Sequence, residues 1–140
     1  EHEYEQFQYV YNCRPPECGS FTPQTRDFAG FEVGKAPTTT GNLSFQYVPE
    51  SAPNTQLELE YQHLGAYYSD ETNTQEYKGH DLVNLRVNYT YDAQTEFYAR
   101  LMNIGDVLYS NYTRTDVGKT ELEYLPGTPR SLFVGYRLNF

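Results

Sequence analysis

The sequence predicts an all-β protein built from antiparallel strands. Apolar and polar residues alternate in six separate stretches, turn-forming residues separate these stretches, and no segment has the period of an amphipathic helix. The 140 residues have the length of one ordinary domain. No apolar run approaches the roughly 20 residues of a membrane-spanning helix, which excludes a helical membrane protein.

The first three predicted strands each have one apolar face. Because successive side chains of a strand point to opposite sides, the residues between the apolar ones form a second face. His63 and Gly65 interrupt the third pattern, and this predicts a β-bulge. The apolar residues are Phe7, Tyr9 and Tyr11 in strand 4–12, Leu43, Phe45 and Tyr47 in strand 38–48, and Leu57, Leu59 and Tyr61 in strand 56–68.

The last three predicted strands alternate over their full length. The final strand, 130–140, has the roughly 9–11 residues of a tilted strand that crosses a bilayer. The apolar residues are Val83, Leu85, Val87, Tyr89 and Tyr91 in strand 81–91, Phe97, Ala99 and Leu101 in strand 96–104, and Leu132, Val134, Tyr136, Leu138 and Phe140 in the final strand.

The connections between the predicted strands alternate in length. Short turns are expected at 49–55 and 92–95, and long polar or irregular loops at 13–37, 69–80 and 105–129. Long loops at one end and short turns at the other are typical of outer-membrane β-barrels, whose short turns lie in the periplasm. The final Phe140 is then expected on the periplasmic side. The 15 Tyr suit a water–lipid boundary, although Tyr is also a good strand former.

Composition argues against several classes of function. The net charge of -9 argues against nucleic acid as a partner. The sequence has no recognisable nucleophile arrangement, phosphate-binding loop or zinc-finger spacing, so it predicts neither an enzyme nor a cofactor or metal site. His63 and His80 are interpreted as structural or loop residues rather than ligands.

The two cysteines lie close together in the sequence. Cys13 and Cys18 flank Pro15 and Pro16, whose turn lets the two thiols close a small ring. This spacing favours a disulfide, which indicates an oxidising compartment such as the periplasm or the cell surface. A metal-binding or redox pair is the alternative, and a zinc site would need further ligands.

Three stretches in the second half of the chain carry motifs in a fixed order. Asn103, Asp106 and Tyr109 follow an N-x-x-D-x-x-Y spacing, Pro126–Arg130 reads Pro-Gly-Thr-Pro-Arg, and the chain ends on Phe140. With residues 79–89, which form an asparagine- and leucine-containing strand, this order resembles the C-terminal end of the TonB-dependent outer-membrane receptors. Residues 1–78 fit the same pattern more loosely.

The resemblance implies a larger protein than these 140 residues. Receptors of this family are barrels of about 22 strands around a plug, so residues 1–140 are expected to be the last six strands, without the plug and the TonB-contacting segment. The final strand is expected to pair with residues 96–104 on one edge and, on the other, with a first strand that this chain does not contain.

The resemblance also implies a function and a location. It implies active import of a metal chelate, expected to be a ferric siderophore, across the bacterial outer membrane with energy supplied through TonB. The expected partners are the remaining barrel and plug, the TonB complex, outer-membrane lipid with lipopolysaccharide, and the chelate. Two alternatives stay open: a passive or structural outer-membrane protein that closes its barrel by oligomerisation, and a secreted or periplasmic β-sandwich binding module.

Candidate site residues follow from the strand faces and the loops. Pairing across the turn at 92–95 places Arg86 opposite Arg100 or Met102, on a polar face that Glu58 and Glu60 share. These four charged residues are expected to face the lumen and the plug, or else to be solvated lumen side chains.

The loops and the terminal strand hold the remaining candidates. Cationic and aromatic loop residues suit an anionic chelate, with ordinary exposed loop residues as the alternative: Arg14, Arg26, Tyr112 and Arg114. Gly135, Leu138 and Phe140 resemble the signal that the barrel-assembly machinery reads, although Phe133 stands where a polar residue is usual.

Overall fold

The structure is a computed structural model that describes residues 2–13, 15, 19, 21–115 and 121–140. Over these ranges the chain forms strands without helices, and all strand pairings are antiparallel. No helix in the described part is therefore long and apolar enough to span a membrane. The strands are β1 (Gln8–Cys13), β2 (Thr22–Asp27), β3 (Thr40–Tyr47), β4 (Thr55–Leu64), β5 (Tyr67–Tyr68), β6 (Glu76–Tyr77), β7 (His80–Thr90), β8 (Thr95–Met102), β9 (Ser110–Thr115), β10 (Leu122–Pro126) and β11 (Ser131–Leu138).

Five long strands form one antiparallel sheet in the order β11-β8-β7-β4-β3. They correspond to the five predicted strands from 38–48 onward, and the predicted pairing of the last strand with residues 96–104 is confirmed by the β11–β8 register. The register aligns one apolar residue from each strand in a single row: Phe45, Leu59, Leu85, Leu101 and Leu132. The period-2 patterns of distant strands therefore match across the sheet.

The apolar face of this sheet is exposed. Phe45, Leu132 and Val134 keep 66%, 67% and 73% of their surface accessible. The buried apolar side chains lie elsewhere: Cys13, Phe28, Tyr67, Tyr77 and Leu82. The protein thus has its buried residues mainly at the hairpin end of the sheet, whereas the large apolar face has no cover within the described chain.

The prediction for the N-terminal part is wrong in one respect. The predicted strand 4–12 is present as β1, but it pairs with β2 and does not join the five-stranded sheet. Residues 13–37 were predicted to be irregular because β2 has no apolar alternation and contains Pro23. Proline is tolerated there because both strands of a two-stranded ribbon are edge strands.

The other two long connections also contain strands. β5, at the end of the predicted strand 56–68, pairs with β6 from the loop expected at 69–80, and β9 and β10 form a hairpin within the loop expected at 105–129. These two ribbons lie in the long connections β4 to β7 and β8 to β11, and the β1–β2 ribbon precedes β3, whereas the connections 48–54 and 91–94 are short turns at the other end of the sheet. The predicted alternation of long and short connections is therefore present, but the long ones are folded.

The predicted bulge at His63 and Gly65 is wrong. β4 stays in register with both neighbours through His63 and ends at Leu64. The strand ends there because the chain crosses itself closely: a Cβ on Gly79 would lie 2.1 Å from the carbonyl oxygen of Leu64, and Gly79 has a φ of +79°. Glycine at position 79 is required both by this contact and by its left-handed conformation.

Tyrosine hydroxyls join the hairpins to each other. The amide of Ser110 in β9 donates to the Tyr77 hydroxyl at 3.0 Å, and the Thr113 hydroxyl donates to Tyr67 at 3.1 Å. Lys35, from the segment after β2, donates to the Tyr112 hydroxyl at 2.9 Å. Because most of these groups are buried, their hydrogen bonds fix the relative positions of β5–β6 and β9–β10.

The loop between β5 and β6 is organised around Asp70. Burial raises the pKa of this carboxyl, but hydrogen bonds from Thr72, Gln75 and Thr74 lower it by more, so the pKa lies below its usual 3.8. Asn73, with a φ of +52°, also exchanges two hydrogen bonds with the backbone of Glu32. The loop is therefore ordered from within and attached to the segment that follows β2.

A second ordered junction precedes β11. Asn103 is buried with a φ of +51°, and its side-chain amide donates to the carbonyls of Val107 and Thr128 at 2.9 and 3.1 Å and accepts from the Val107 amide at 2.9 Å. Asp106 accepts a hydrogen bond from the Arg130 amide at 3.1 Å. The N-x-x-D spacing thus has a structural explanation, because these two side chains close the base of the β9–β10 connection.

Candidate functional site

The polar face of the five-stranded sheet is the best-defined candidate site. One row across it contains Gln46, Glu58, Arg86, Arg100 and Phe133. Alternation alone predicted Arg86 opposite Arg100 or Met102, and the register places it opposite Arg100. Two guanidinium groups therefore lie on adjacent strands, where like charges repel.

Glu58 compensates part of this repulsion. Its Oε2 accepts a hydrogen bond from Arg86 Nη1 at 3.0 Å, with side chains that are 20% and 40% exposed. Glu58 also accepts from the Ser44 hydroxyl at 3.2 Å. This charge-assisted bond across β4 and β7 fixes the position of the Arg86 guanidinium.

Glu60, in the next row, is held by amides rather than by an arginine contact. Asn42 and Asn84 donate to its two carboxylate oxygens at 3.2 and 3.1 Å. Asn84 is itself buried, and its side-chain oxygen accepts from the Asn103 amide at 2.9 Å. Glu60 was predictable from strand alternation, whereas the two asparagines were not, because their roles depend on which residues the register places beside them.

Arg100 is the remaining cation of this row. Among the described residues it contacts no carboxylate, and its guanidinium lies 5.5 Å from the Tyr98 ring centroid. The Nε of Arg86 is also buried without a hydrogen-bond partner. The two arginines thus retain donor capacity for an anionic group from outside this sheet.

A separate ion pair lies toward the turn end of the same face. Arg137 Nη1 donates to Glu96 Oε2 at 3.1 Å across β11 and β8. The five strands present three carboxylates and three guanidiniums on this face: Glu58, Glu60, Glu96, Arg86, Arg100 and Arg137. The face is polar and formally neutral. Of its three guanidiniums, that of Arg100 contacts no carboxylate among the described residues.

The predicted ligand-loop residues fall on two separate hairpins. Arg26 lies on β2, where its guanidinium stacks 4.9 Å from the Tyr11 ring centroid. Tyr112 and Arg114 lie on β9, where Tyr112 contacts Lys35 and Arg114 pairs with Glu123 at 2.9 Å. Arg14 lies outside the described residues. Their role in ligand contact stays a prediction.

The cysteine and terminal-strand candidates have clear positions. Cys13 ends β1, is buried and is disulfide-bonded, whereas Cys18 lies outside the described residues. Gly135 lies against Tyr98, since a Cβ at this position would be 2.5 Å from the tyrosine hydroxyl. Leu138 ends β11 on the apolar face, and Phe140 is fully exposed. Recognition of this strand by an assembly machinery stays a prediction.

One polar cluster was missed by the sequence analysis. The register places Gly41, His63 and Asp81 in a row at the hairpin end of the apolar face. His63 Nδ1 lies 2.7 Å from Asp81 Oδ1, and His63 Nε2 lies 3.0 Å from the Thr39 hydroxyl. Continuing the period-2 alternation through His63, rather than ending it in a bulge, places His63 on the apolar face, but its contacts with Asp81 and Thr39 depend on the strand register.

The described residues contain no group of three or more His, Cys, Asp or Glu side chains placed to hold a metal ion. On the polar face, Arg100 can bind an anionic side chain. On the apolar face, at its hairpin end, the Thr39 hydroxyl lies next to the His63 imidazole. No protein-family model, curated protein or solved structure matches this chain.

Proposed function

We propose that this chain is part of the wall of a transmembrane β-barrel in the bacterial outer membrane. The exposed apolar face of the five-stranded sheet is the observation that carries the proposal. Side chains such as Phe45, Leu132 and Val134 are mostly accessible although they lie in one continuous apolar surface. Contiguous apolar surfaces of this kind mark a contact with another apolar phase.

The height of this face fits a bilayer. Asp81 lies near the start of β7 and Tyr91 directly follows the strand, ten positions later on the same face. Between them this face carries Val83, Leu85, Val87 and Tyr89. At about 3.4 Å per residue this span is about 34 Å along the strand. A strand tilt of about 40° reduces it to about 26 Å, close to the apolar band of about 25 Å in outer-membrane barrels.

Aromatic residues bound the face as expected for a barrel. Tyr89, Phe97 and Tyr136 form one row at the turn end, next to Tyr47, and Tyr61 lies at the hairpin end. Outer-membrane barrels carry such aromatic girdles at both interfaces. In a β-sandwich the same face would instead pack against a second sheet about 10 Å away.

The proposed activity is import of a metal chelate, with a ferric siderophore as the expected cargo and TonB as the energy source. Its support is the sequence resemblance of residues 79–89, 97–109 and 126–140. In this arrangement the polar face with Glu58, Arg86 and Arg100 faces the lumen and meets the plug of the receptor. The three hairpins then lie on the extracellular side, where the chelate is captured.

The membrane contact is tested with Val134→Arg, against Gln46→Arg on the polar face of the sheet. An arginine near the middle of a lipid-facing strand costs about 2–4 kcal/mol of folding free energy. An exposed position in water changes stability by about 0.5 kcal/mol or less. We expect Val134→Arg to reduce folding into phospholipid vesicles and Gln46→Arg to leave it unchanged. Equal stability of the two variants would overturn the proposal.

The import activity is tested by uptake of ferric chelates into metal-limited cells that express the intact receptor. TonB-dependent uptake that is lost on deletion of the segment 40–138 and restored by its return supports the proposal. Uptake that persists without TonB favours the passive barrel instead. Heat-modifiable migration on gels separates both barrels from a β-sandwich.

A further inference from the structure

Thr39, His63 and Asp81 lie together at the hairpin end of the apolar face. Asp81 Oδ1 lies 2.7 Å from His63 Nδ1, and Thr39 Oγ1 lies 3.0 Å from His63 Nε2. The Tyr61 hydroxyl donates to the same Asp81 oxygen at 2.6 Å. A hydroxyl, an imidazole and a carboxylate in this order form the constellation that activates a nucleophile.

For a neutral imidazole, donor and acceptor counting selects one tautomer of His63. An ionised carboxylate only accepts hydrogen bonds, so the short contact to Asp81 requires the proton of neutral His63 on Nδ1. The Nε2 lone pair is then free to accept, and the Thr39 hydroxyl donates to it. Tyr61 supports this state, because its hydroxyl occupies Asp81 as a second donor and holds the carboxylate in place.

The surroundings leave the hydroxyl accessible. His63 and Asp81 keep 37% and 58% of their side-chain surface exposed, and Thr39 is exposed. Gly41, directly beside His63 in the register, has no side chain above the imidazole. Gly65 allows the approach of Thr39, since a Cβ at position 65 would lie 2.4 Å from its Oγ1. The two glycines thus shape the site around the Thr39–His63 contact.

We propose that Thr39, His63 and Asp81 form a catalytic site that hydrolyses acyl esters whose hydrocarbon chain lies along the apolar face. The next rows on this face contain Leu43 and Phe45, so an acyl chain that extends from the site meets apolar side chains. The choice of a lipid ester rests on the proposed membrane orientation of the sheet. The hydroxyl–imidazole–carboxylate geometry does not depend on that orientation.

The reaction has two balanced steps. Thr39 Oγ1 attacks the ester carbonyl carbon and its proton moves to His63 Nε2; the carbon–oxygen bond to the alcohol then breaks, and the alcohol leaves with that proton. Water next attacks the acyl-Thr39 ester, again giving a proton to Nε2, which returns it to Thr39 as the carboxylic acid leaves. Asp81 stabilises the imidazolium in both steps.

The test uses the full chain in detergent micelles with p-nitrophenyl butyrate and p-nitrophenyl myristate. We expect ester hydrolysis that falls on the order of 10²-fold or more in Thr39→Val and in His63→Gln, the range for loss of a general base. Thr39→Ser should retain turnover. Thr40→Val is the matched control, because residue 40 alternates to the polar face, and its activity should equal that of the wild type.

Each outcome decides one part of the proposal. Turnover in the wild type no higher than in Thr39→Val, at equal β-sheet content by circular dichroism, overturns the site. Detection of an acyl adduct on Thr39 by mass spectrometry supports it. Butyrate hydrolysis that is as fast as myristate hydrolysis overturns the lipid ester as substrate class. Loss of chelate uptake, by contrast, bears on the proposed import function alone.

Discussion

The row of Glu58, Arg86 and Arg100 makes a sharp prediction about charge compensation. Replacement of Glu58 by Gln keeps the shape of the side chain and removes the negative charge beside two guanidinium groups. Arg86 then loses its carboxylate partner at 3.0 Å, and Arg100 loses the attraction of the same carboxylate. We therefore expect Glu58→Gln to lower the free energy of unfolding more than loss of an ordinary surface ion pair does.

The magnitude follows from two contributions. A hydrogen bond to a charged group contributes about 1.5–3 kcal/mol when buried, and partial exposure of Arg86 reduces this to about 1 kcal/mol. The Arg86–Arg100 repulsion is present in both proteins, so the second contribution is the lost attraction between Glu58 and Arg100, about 0.5 kcal/mol for a solvent-screened charge pair. We expect Glu58→Gln to cost about 1.5 kcal/mol in total.

A second substitution tests the mechanism directly. Arg100→Gln in the wild type removes both the repulsion with Arg86 and the attraction to Glu58, so it should change stability little. In the Glu58→Gln background it removes only repulsion, so it should restore about 0.5 kcal/mol, within the range for directly opposite cross-strand pairs. This change of effect between the two backgrounds is the signature of like-charge compensation.

The measurement is equilibrium urea unfolding of the four variants of this cycle in phospholipid vesicles. Glu96→Gln is the matched control, because Glu96 pairs with Arg137 at 3.1 Å on the same face without a second arginine opposite. It should cost about 0.5 kcal/mol. The reasoning is refuted if Glu58→Gln costs no more than Glu96→Gln, or if Arg100→Gln fails to stabilise the Glu58→Gln protein.

Three further outcomes are expected. Asn103→Ala should lower the free energy of unfolding by about 2–4 kcal/mol, since it removes three hydrogen bonds at a buried left-handed residue. Asn88→Ala, the control, should change it by about 0.5 kcal/mol or less. Equal costs would contradict the role of Asn103. The folded-state pKa of Asp70 lies below its unfolded value despite burial, so its contribution to stability is present above the unfolded pKa and is lost as pH falls through the folded pKa. Asp70→Asn should therefore weaken the dependence of the free energy of unfolding on pH below about pH 4. An unchanged pH dependence would count against this role of Asp70. If the polar face meets a plug, Arg86→Gln with Arg100→Gln should impair chelate uptake at normal expression, and unchanged uptake would argue against plug docking.

The large sheet was predictable from sequence because its strands have one apolar face each. Alternation in residues such as Leu43, Leu59 and Val87 gives the strand, its faces and its approximate ends. The hairpins were not predictable in this way. β9 is Ser-Asn-Tyr-Thr-Arg-Thr and pairs through contacts such as Arg114 with Glu123, so it leaves no apolar period in the sequence.

Alternation predicted the shared polar face of the candidate site, but the exact cross-strand partners were predictable only where a single short turn joins the strands. Arg86 and Arg100 are joined by the short connection 91–94, which limits their possible pairing to neighbouring positions. The contact of His63 with Asp81 depends instead on the register of β4 against β7, and a folded ribbon separates these strands in sequence. Side chains that meet across such a connection have no fixed spacing, so the contacts of His63 with Thr39 and Asp81 emerge only from the three-dimensional structure.

The junction at Asn103 has a consequence for the order of folding. β11 can join β8 only after residues 103–130 are brought into a closed loop, and loop closure costs conformational entropy that grows with the logarithm of length. Asn103 binds the carbonyl of Thr128, and Asp106 binds the amide of Arg130, so these contacts draw the two ends of the loop together. Once β9 and β10 have paired, the junction delivers Ser131 directly opposite Met102. The pairing of β8 with β11 joins strands that are distant in sequence, but the junction brings them close together. We therefore expect β11 to join the sheet only after the β9–β10 hairpin has formed.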